Sequence, residues 1–194
     1  AGSFRCIALD CNDAGGKGGG GYRRFIGPAQ LAWLEREVAN TNRPVLIFTH
    51  QPLDSGGIEN EAEVHAVLEK HAAKVIAVFS GHSHQDYELA VKGIRHFQIN
   101  SASYVWLPAS AARETYPSEV HKGHPSLKSV AAYRDPLWAL VTIDLDRGEL
   151  TIKGRRSEWV GPDPWERGVT EKAYPRDRNH PHISDRAIDF SRSA

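Results

Sequence analysis

Val45-Leu46-Ile47-Phe48-Thr49-His50-Gln51-Pro52 and, further along the chain, Val75-Ile76-Ala77-Val78-Phe79-Ser80-Gly81-His82-Ser83-His84 decide the fold. Each is an unbroken apolar run, the composition a strand needs when both of its faces are buried. Each ends in a polar turn that carries histidine, and open α/β sheets hold their ligands just outside the carboxyl ends of such strands. Pro52 stops the first strand, because it cannot donate to a sheet ladder.

Working outward, helical periodicity flanks both runs. From Pro28, the residues Leu31, Trp33, Leu34 and Val38 recur at helical spacing, with proline in the first turn where its missing N–H is tolerated. The pattern stops near Asn42. After Ser55-Gly56-Gly57, the pair Asn60 and Glu63 fits a capping box, and Val64, Val67 and Leu68 mark the inner face of a second helix. Phe4 to Asp10 reads as a preceding strand. Two strand–helix units in succession predict an α/β sheet.

Later in the chain, Tyr87 to Ala90 and Ile94 to Ile99 alternate about the turn Lys92-Gly93, which predicts a hairpin. Trp138 to Leu145 and Glu149 to Lys153, about Asp146-Arg147-Gly148, predict another. Between them, residues 103–135 carry Tyr104, Trp106, Tyr116 and Tyr133 among Ser, Pro and Gly without a period, and read as a long loop or lid. Beyond Trp159 the chain is rich in Pro, Arg and Asp, so residues 1–155 form the domain and 156–194 a tail packed on the surface or partly disordered. Gly15, Gly16, Gly18, Gly19, Gly20 and Gly21 read as a mobile surface excursion. A phosphate cradle is disfavoured there, since no Gly-Lys-Ser/Thr ending and no helix in register follow.

The 24 basic and 24 acidic residues of the 194-residue chain cancel, so no global field favours nucleic acid or an anionic membrane. No apolar stretch approaches the roughly 20 residues that span a bilayer, and no basic-then-apolar leader opens the chain. It reads as soluble, in a compartment the sequence does not specify. Cys6 and Cys11 are too few for a disulfide scaffold and read as buried or unreactive thiols. The chain has no methionine, and Ala1-Gly2-Ser3 leads at once into an apolar run, which suggests a processed or truncated product.

His50 alone is ambiguous, since a histidine after a strand can be a core residue satisfied by the backbone. Gly81-His82-Ser83-His84 is more specific. Alternate residues of an extended segment face the same way about 6 to 7 Å apart, which suits two ions separated by about 3.5 to 4 Å, each taking one imidazole. Gly81 would allow a sharp turn. His65 and His71 fall on the second helix and His96 on a hairpin strand. His121, His124, His180 and His182 fall in polar loops, and solvation is the expectation for most of these seven. His121 or His124 could reach a substrate from the lid.

Thr49-His50-Gln51-Pro52 followed by Ser80-Gly81-His82-Ser83-His84 resembles the last two signature blocks of calcineurin-like metallophosphoesterases. The Gln30-Leu31-Ala32-Trp33-Leu34 helix is similar to one that precedes those blocks in the family, and the resemblance covers roughly residues 4–155. It implies an α/β/β/α sandwich with two mixed sheets. The two buried strands would lie in one sheet and the C-terminal hairpins in the other, and the N-terminal half would be missing from this chain.

It further implies a dinuclear site of two divalent ions (Mn, Fe, Zn or Co), with His50 and His82 on one ion and His84 on the other. The ions clamp a phosphate mono- or diester while hydroxide attacks phosphorus in line. The family's earlier blocks, an Asp-x-His pair, a Gly-Asp-x-x-Asp segment and a Gly-Asn-His-Asp or Gly-Asn-His-Glu segment, do not occur here. Asn179-His180 lacks the flanking glycine and acid and does not substitute for them. The general acid is therefore expected in the missing half.

Expected partners are a small phosphate ester and either that missing half or a second copy of the chain, with no nucleic acid and no membrane. A rival reading is a non-catalytic half-domain or proteolytic fragment that acts, if at all, by binding a partner. A third is a mononuclear zinc hydrolase built on His50, His82 and His84, which adjacent alternate histidines disfavour.

Overall fold

The computed structural model describes residues 3–18 and 23–191, so Ala1 and Gly2, and Gly19, Gly20 and Gly21 of the glycine-rich stretch, lie outside the described residues. In chain order the elements are β1 (Arg5–Leu9), α1 (Pro28–Ala39), β2 (Val45–Thr49), α2 (Glu61–Glu69), β3 (Val75–Ser80), β4 (Tyr87–Val91) and β5 (Ile94–Gln98). There follow β6 (Tyr104–Trp106), α3 (Ser118–Gly123), β7 (Val130–Ala132), β8 (Ala139–Asp144), β9 (Glu149–Gly154) and β10 (Arg186–Asp189). This is a mixed α/β chain. Among the described residues no helix is long and apolar enough to cross a membrane.

The larger sheet has the order β1-β2-β3-β5-β4, parallel except for the β4–β5 hairpin. Its two faces bury different residues because strand side chains alternate. On one face Ile7, Leu9, Val45, Ile47, Val75, Val78 and Ile94 pack with Leu34 and Val38 of α1 and Val64 and Leu68 of α2. On the other, Leu46, Ile76, Ala77, Phe79 and Phe97 meet Leu150 and Ile152 of β9 and Ile188 of β10. A register shift between the Val45/Val75 and Leu46/Ala77 pairs lets Ile76 and Ala77 both turn toward this second core.

The second sheet is antiparallel, with the order β10-β9-β8. Only the second hairpin belongs to it. The expectation that both hairpins lie there is corrected: β5 carries Ile94 toward the helices and Phe97 toward the inter-sheet core, so it needs cover on both faces and completes the larger sheet. The second sheet covers the middle of the first and stops short of its β1 side. Cys6 and Ala8 are exposed there, and Phe48 remains 40% exposed although it stacks on Phe79 at 5.4 Å.

Two further expectations change. The side chain of Asn60 does not cap α2; its amide accepts from Ile26 N at 3.1 Å and donates to Ile26 O at 2.8 Å, pinning the approach to α1. Residues 103–135 are not an open lid. β6 and β7 pair antiparallel, and Val105, Leu107, Ala131, Tyr133 and Leu137 form a third core with Val169 and Ile183. The segment after residue 156 runs alongside this core, buries Arg167 and Asn179, and returns as β10 to pair with β9. Arg167 holds it there by donating to the carbonyls of Ala111, Val130 and Lys128.

Candidate functional site

β2 and β3 are parallel neighbours, so the turns that follow them emerge side by side. Gly81 N donates to His50 O at 3.0 Å, which ties the two turns together through the backbone. His50, His82 and His84 then line one cleft of about 620 Å³, together with Asn12, Gln51, Ser83 and Trp106. The structure thus brings the three histidines of the sequence reading to the carboxyl edge of the sheet, where the parallel topology places a ligand.

The local backbone differs from the extended segment expected for His82 to His84. His82 has φ +69° and His84 φ +54°, and Ser83 N donates to Gly81 O at 2.8 Å, closing a three-residue turn centred on His82. A side-chain-bearing residue held in that region costs about 1–3 kcal/mol, and such strain concentrates at functional sites. The sharp turn expected of Gly81 is made by His82 instead; a Cβ on Gly81 would meet only His50 O at 3.9 Å. Behind the turn, Gln98 of β5 donates to Gly81 O and accepts from Ser80 Oγ, so buried amide chemistry holds the strained loop.

The imidazoles are arranged in two ways. His82 Nδ1 and His50 Nε2 lie 3.2 Å apart, with ring centroids 5.0 Å apart at 71°. At that distance one ring donates a hydrogen bond to the other. Two nitrogens bound at about 2.0–2.1 Å to one tetrahedral ion would sit about 3.3–3.4 Å apart, so the spacing is also compatible with two ligands of one ion. His84 is held differently: its Nδ1–H donates to the Tyr104 carbonyl at 2.9 Å, which fixes the tautomer and leaves the lone pair on Nε2. Burial holds the pKa of both His82 and His84 below the ordinary histidine value, and for His82 the charges of His50, His84 and Arg24 add to the effect. For His84 the Tyr104 carbonyl works in the opposite direction. Neutral imidazoles are the form that binds a metal.

Among the described residues no group of three or more His, Cys, Asp or Glu side chains is placed to hold an ion. No Asp or Glu is among the described residues that line the cleft with the three imidazoles. Gln51, 1% exposed, lines the cleft, donates to Asn12 Oδ1 at 3.2 Å and keeps a buried Oε1 with no hydrogen-bond partner. Sequence reading named Gln51 only as part of a block and missed Asn12, Tyr104 and Trp106. Asn12 follows β1 with no motif to mark it, and Tyr104 and Trp106 lie in a stretch without a period.

Several histidines read as solvated are not. His65 and His96 are buried, and His121 is buried with Nε2 accepting from Thr115 N and Tyr116 N, each at 3.1 Å, a structural role that removes it from the candidates for substrate contact. His180 and His182 are half-buried and stack at 3.4 Å. His124 is exposed. Cys6 is exposed and Cys11 buried, its thiol pushed up by burial. In the described part of the glycine-rich stretch, Lys17 N and Gly18 N donate to the Glu59 carboxylate at 2.6 and 2.9 Å, so these donors hold an anion of the chain itself. No protein-family model matches the chain, and no match is found among curated proteins.

Proposed function

We propose that this cleft is the histidine side of a dinuclear metal site that hydrolyses phosphate mono- or diesters in the manner of calcineurin-like metallophosphoesterases. The observation that carries the reading is the 3.2 Å separation of His50 Nε2 and His82 Nδ1 beside a third imidazole whose tautomer is set by the Tyr104 carbonyl. Two divalent ions (Mn, Fe, Zn or Co) would supply Lewis-acid activation of the ester and an acidified water. The protein's own part is to present the imidazoles on a loop fixed by Gln98.

The carboxylates, and the general acid, come in this reading from a polypeptide outside the described residues. Exposed apolar surface supports that reading: the β1 side of the larger sheet exposes Cys6, Ala8 and Phe48, and edge strand β8 exposes Val141 and Leu140. An N-terminal half that completes the α/β/β/α sandwich would cover that side, and a second copy of the chain is the alternative occupant. The same exposed surface favours the rival reading, a non-catalytic partner-binding half-domain. Cobalt titration followed by visible absorption separates the two. Metallophosphoesterase chemistry requires a d–d band that saturates with bound Co²⁺ and disappears in His50→Ala and in His82→Ala; a spectrum that never departs from aqueous cobalt rejects it.

A further inference from the structure

The tryptophans of the described chain differ in what faces them. Trp159 packs against Tyr133, and Trp165 lies under the Arg176 guanidinium at 3.8 Å. Trp33 packs on the helical core. Trp138, at 58% exposed, stands just before β8 and is not among the residues that line the cleft. Trp106 is 46% exposed and lines the same cleft as His50, His82 and His84.

Its position is set from several directions. Its strand pairs Trp106 with Val130, and Val130 O accepts from the buried Arg167 guanidinium at 2.6 Å. Tyr174 Oη donates to Trp106 O at 2.6 Å. Tyr104 meets the indole edge-to-face at 5.0 Å and 85°, while the His84 ring lies near-parallel to it at 6.2 Å and 27°. The ring is therefore ordered before any ligand arrives, and the entropy of fixing it is not charged to binding. An exposed, pre-positioned indole beside an imidazole that the reading above gives to the metal site is a stacking platform for a flat ring, since every nucleobase offers a π-face.

We propose that Trp106 stacks the base of the substrate, so that the cleft selects phosphate esters of the nucleotide class over esters of plain sugars or alkyl alcohols. This rests on the cleft being the phosphate-ester site, and it adds the chemical class that site accepts. Phosphate would lie toward His50 and His82, with the base over the indole next to His84.

The test is a tryptophan fluorescence titration of the whole chain with adenosine 5′-monophosphate and with ribose 5-phosphate, each in EDTA and again with Co²⁺. The expected result is about tenfold or greater preference for the nucleotide in both conditions. In Trp106→Leu, with circular dichroism unchanged, that preference should be lost, and Trp106→Phe should keep part of it. Equal affinity for the two ligands, no saturable response to the nucleotide, or a preference that survives Trp106→Leu overturns the proposal. A nucleotide preference that Trp106→Leu removes, with no influence of Co²⁺ on either ligand, upholds the stacking role and counts against the metal reading instead.

Discussion

Two pairs of histidines lie at almost the same spacing in this molecule and have opposite characters. His50 and His82 in the cleft have ring centroids 5.0 Å apart, and His65 and His96 under α2 have theirs 5.3 Å apart. In the cleft pair, two nitrogens face each other at 3.2 Å with space beside them for an ion. In the core pair, His96 is 1% exposed and neither of its nitrogens has a hydrogen-bond partner, while Asp54 Oδ2 stands 3.7 Å from its Nδ1. Burial and the charge of His65 push its pKa down to about 4, against the opposing pull of Asp54. Nearness of imidazoles therefore does not make a site. Access and the direction of the lone pairs do.

The largest expected effect tests the cleft pair through catalysis. On the proposed reading, this chain by itself should show no metal-dependent hydrolysis of an aryl phosphate mono- or diester, because three imidazoles carry no negative charge to offset the repulsion of two adjacent dications. Joined to a polypeptide that supplies carboxylate blocks of the calcineurin-like kind, it should turn over. In that assembly His82→Ala or His84→Ala should each lower kcat by more than the about 10–100-fold typical of losing a partner that only orients a ligand. Excess metal should restore part of the loss. Robust turnover by the chain alone, freed of any second polypeptide, would falsify the division of the site.

Metal affinity sharpens the same contrast at a smaller scale. Removing either member of the cleft pair should weaken Co²⁺ binding by about tenfold or more, whereas His96→Phe should leave it unchanged. His84→Ala should leave the first ion in place, since His50 and His82 remain. Equilibrium dialysis reads all four proteins. Equal losses from His84→Ala and His82→Ala would mean that the three rings share one ion after all.

The core pair should announce itself in acid. His96 has a folded pKa of about 4 against an ordinary value of 6.5, so the unfolded chain binds the proton first. Its contribution to stability is complete above pH 6.5 and is lost as pH falls toward 4, an effect of up to roughly 3 kcal/mol. His96→Phe removes two buried nitrogens that have no partner and should change stability at pH 7 by less than about 1 kcal/mol. The slope of stability between pH 6.5 and 4 should flatten. Urea unfolding across that range measures both, and an unchanged slope would show that His96 is not the group that charges.

Much of this was legible in the chain because it rests on contiguous signals. The apolar runs Val45–Thr49 and Val75–Ser80 became the parallel strands β2 and β3, and the alternating segments on either side of Lys92-Gly93 and Asp146-Arg147-Gly148 became hairpins. Because those two strands are neighbours, the histidines behind them converged as their positions implied. What was not legible depends on distant partners. β6 is only three residues long and exists by pairing with β7, so no local period marks it. Asn60 looks like a cap until Ile26 claims both ends of its amide. The positive φ of His82 goes with the Gly81–Ser83 hydrogen bond and the Gln98 support, a turn that glycine-seeking rules assign to the wrong residue.

A third pair separates burial from proximity. His180 and His182 stack closer than either of the others, at 3.4 Å and 8°. The pKa of His182 is also pushed down to about 4, first by burial and then by the charges of His180, Arg156 and Arg186, with Asp86 opposing. The sign is the same as for His96: stability present above pH 6.5 and lost toward pH 4. The size should not be. His182 is only half-buried, so water screens the charges around it, and His182→Gln should flatten the acid slope by no more than about 1 kcal/mol. If it flattened the slope as much as His96→Phe, ring-to-ring proximity would be setting the protonation of these pairs. The contrast between cleft and core would then have to be rebuilt on distance instead of burial.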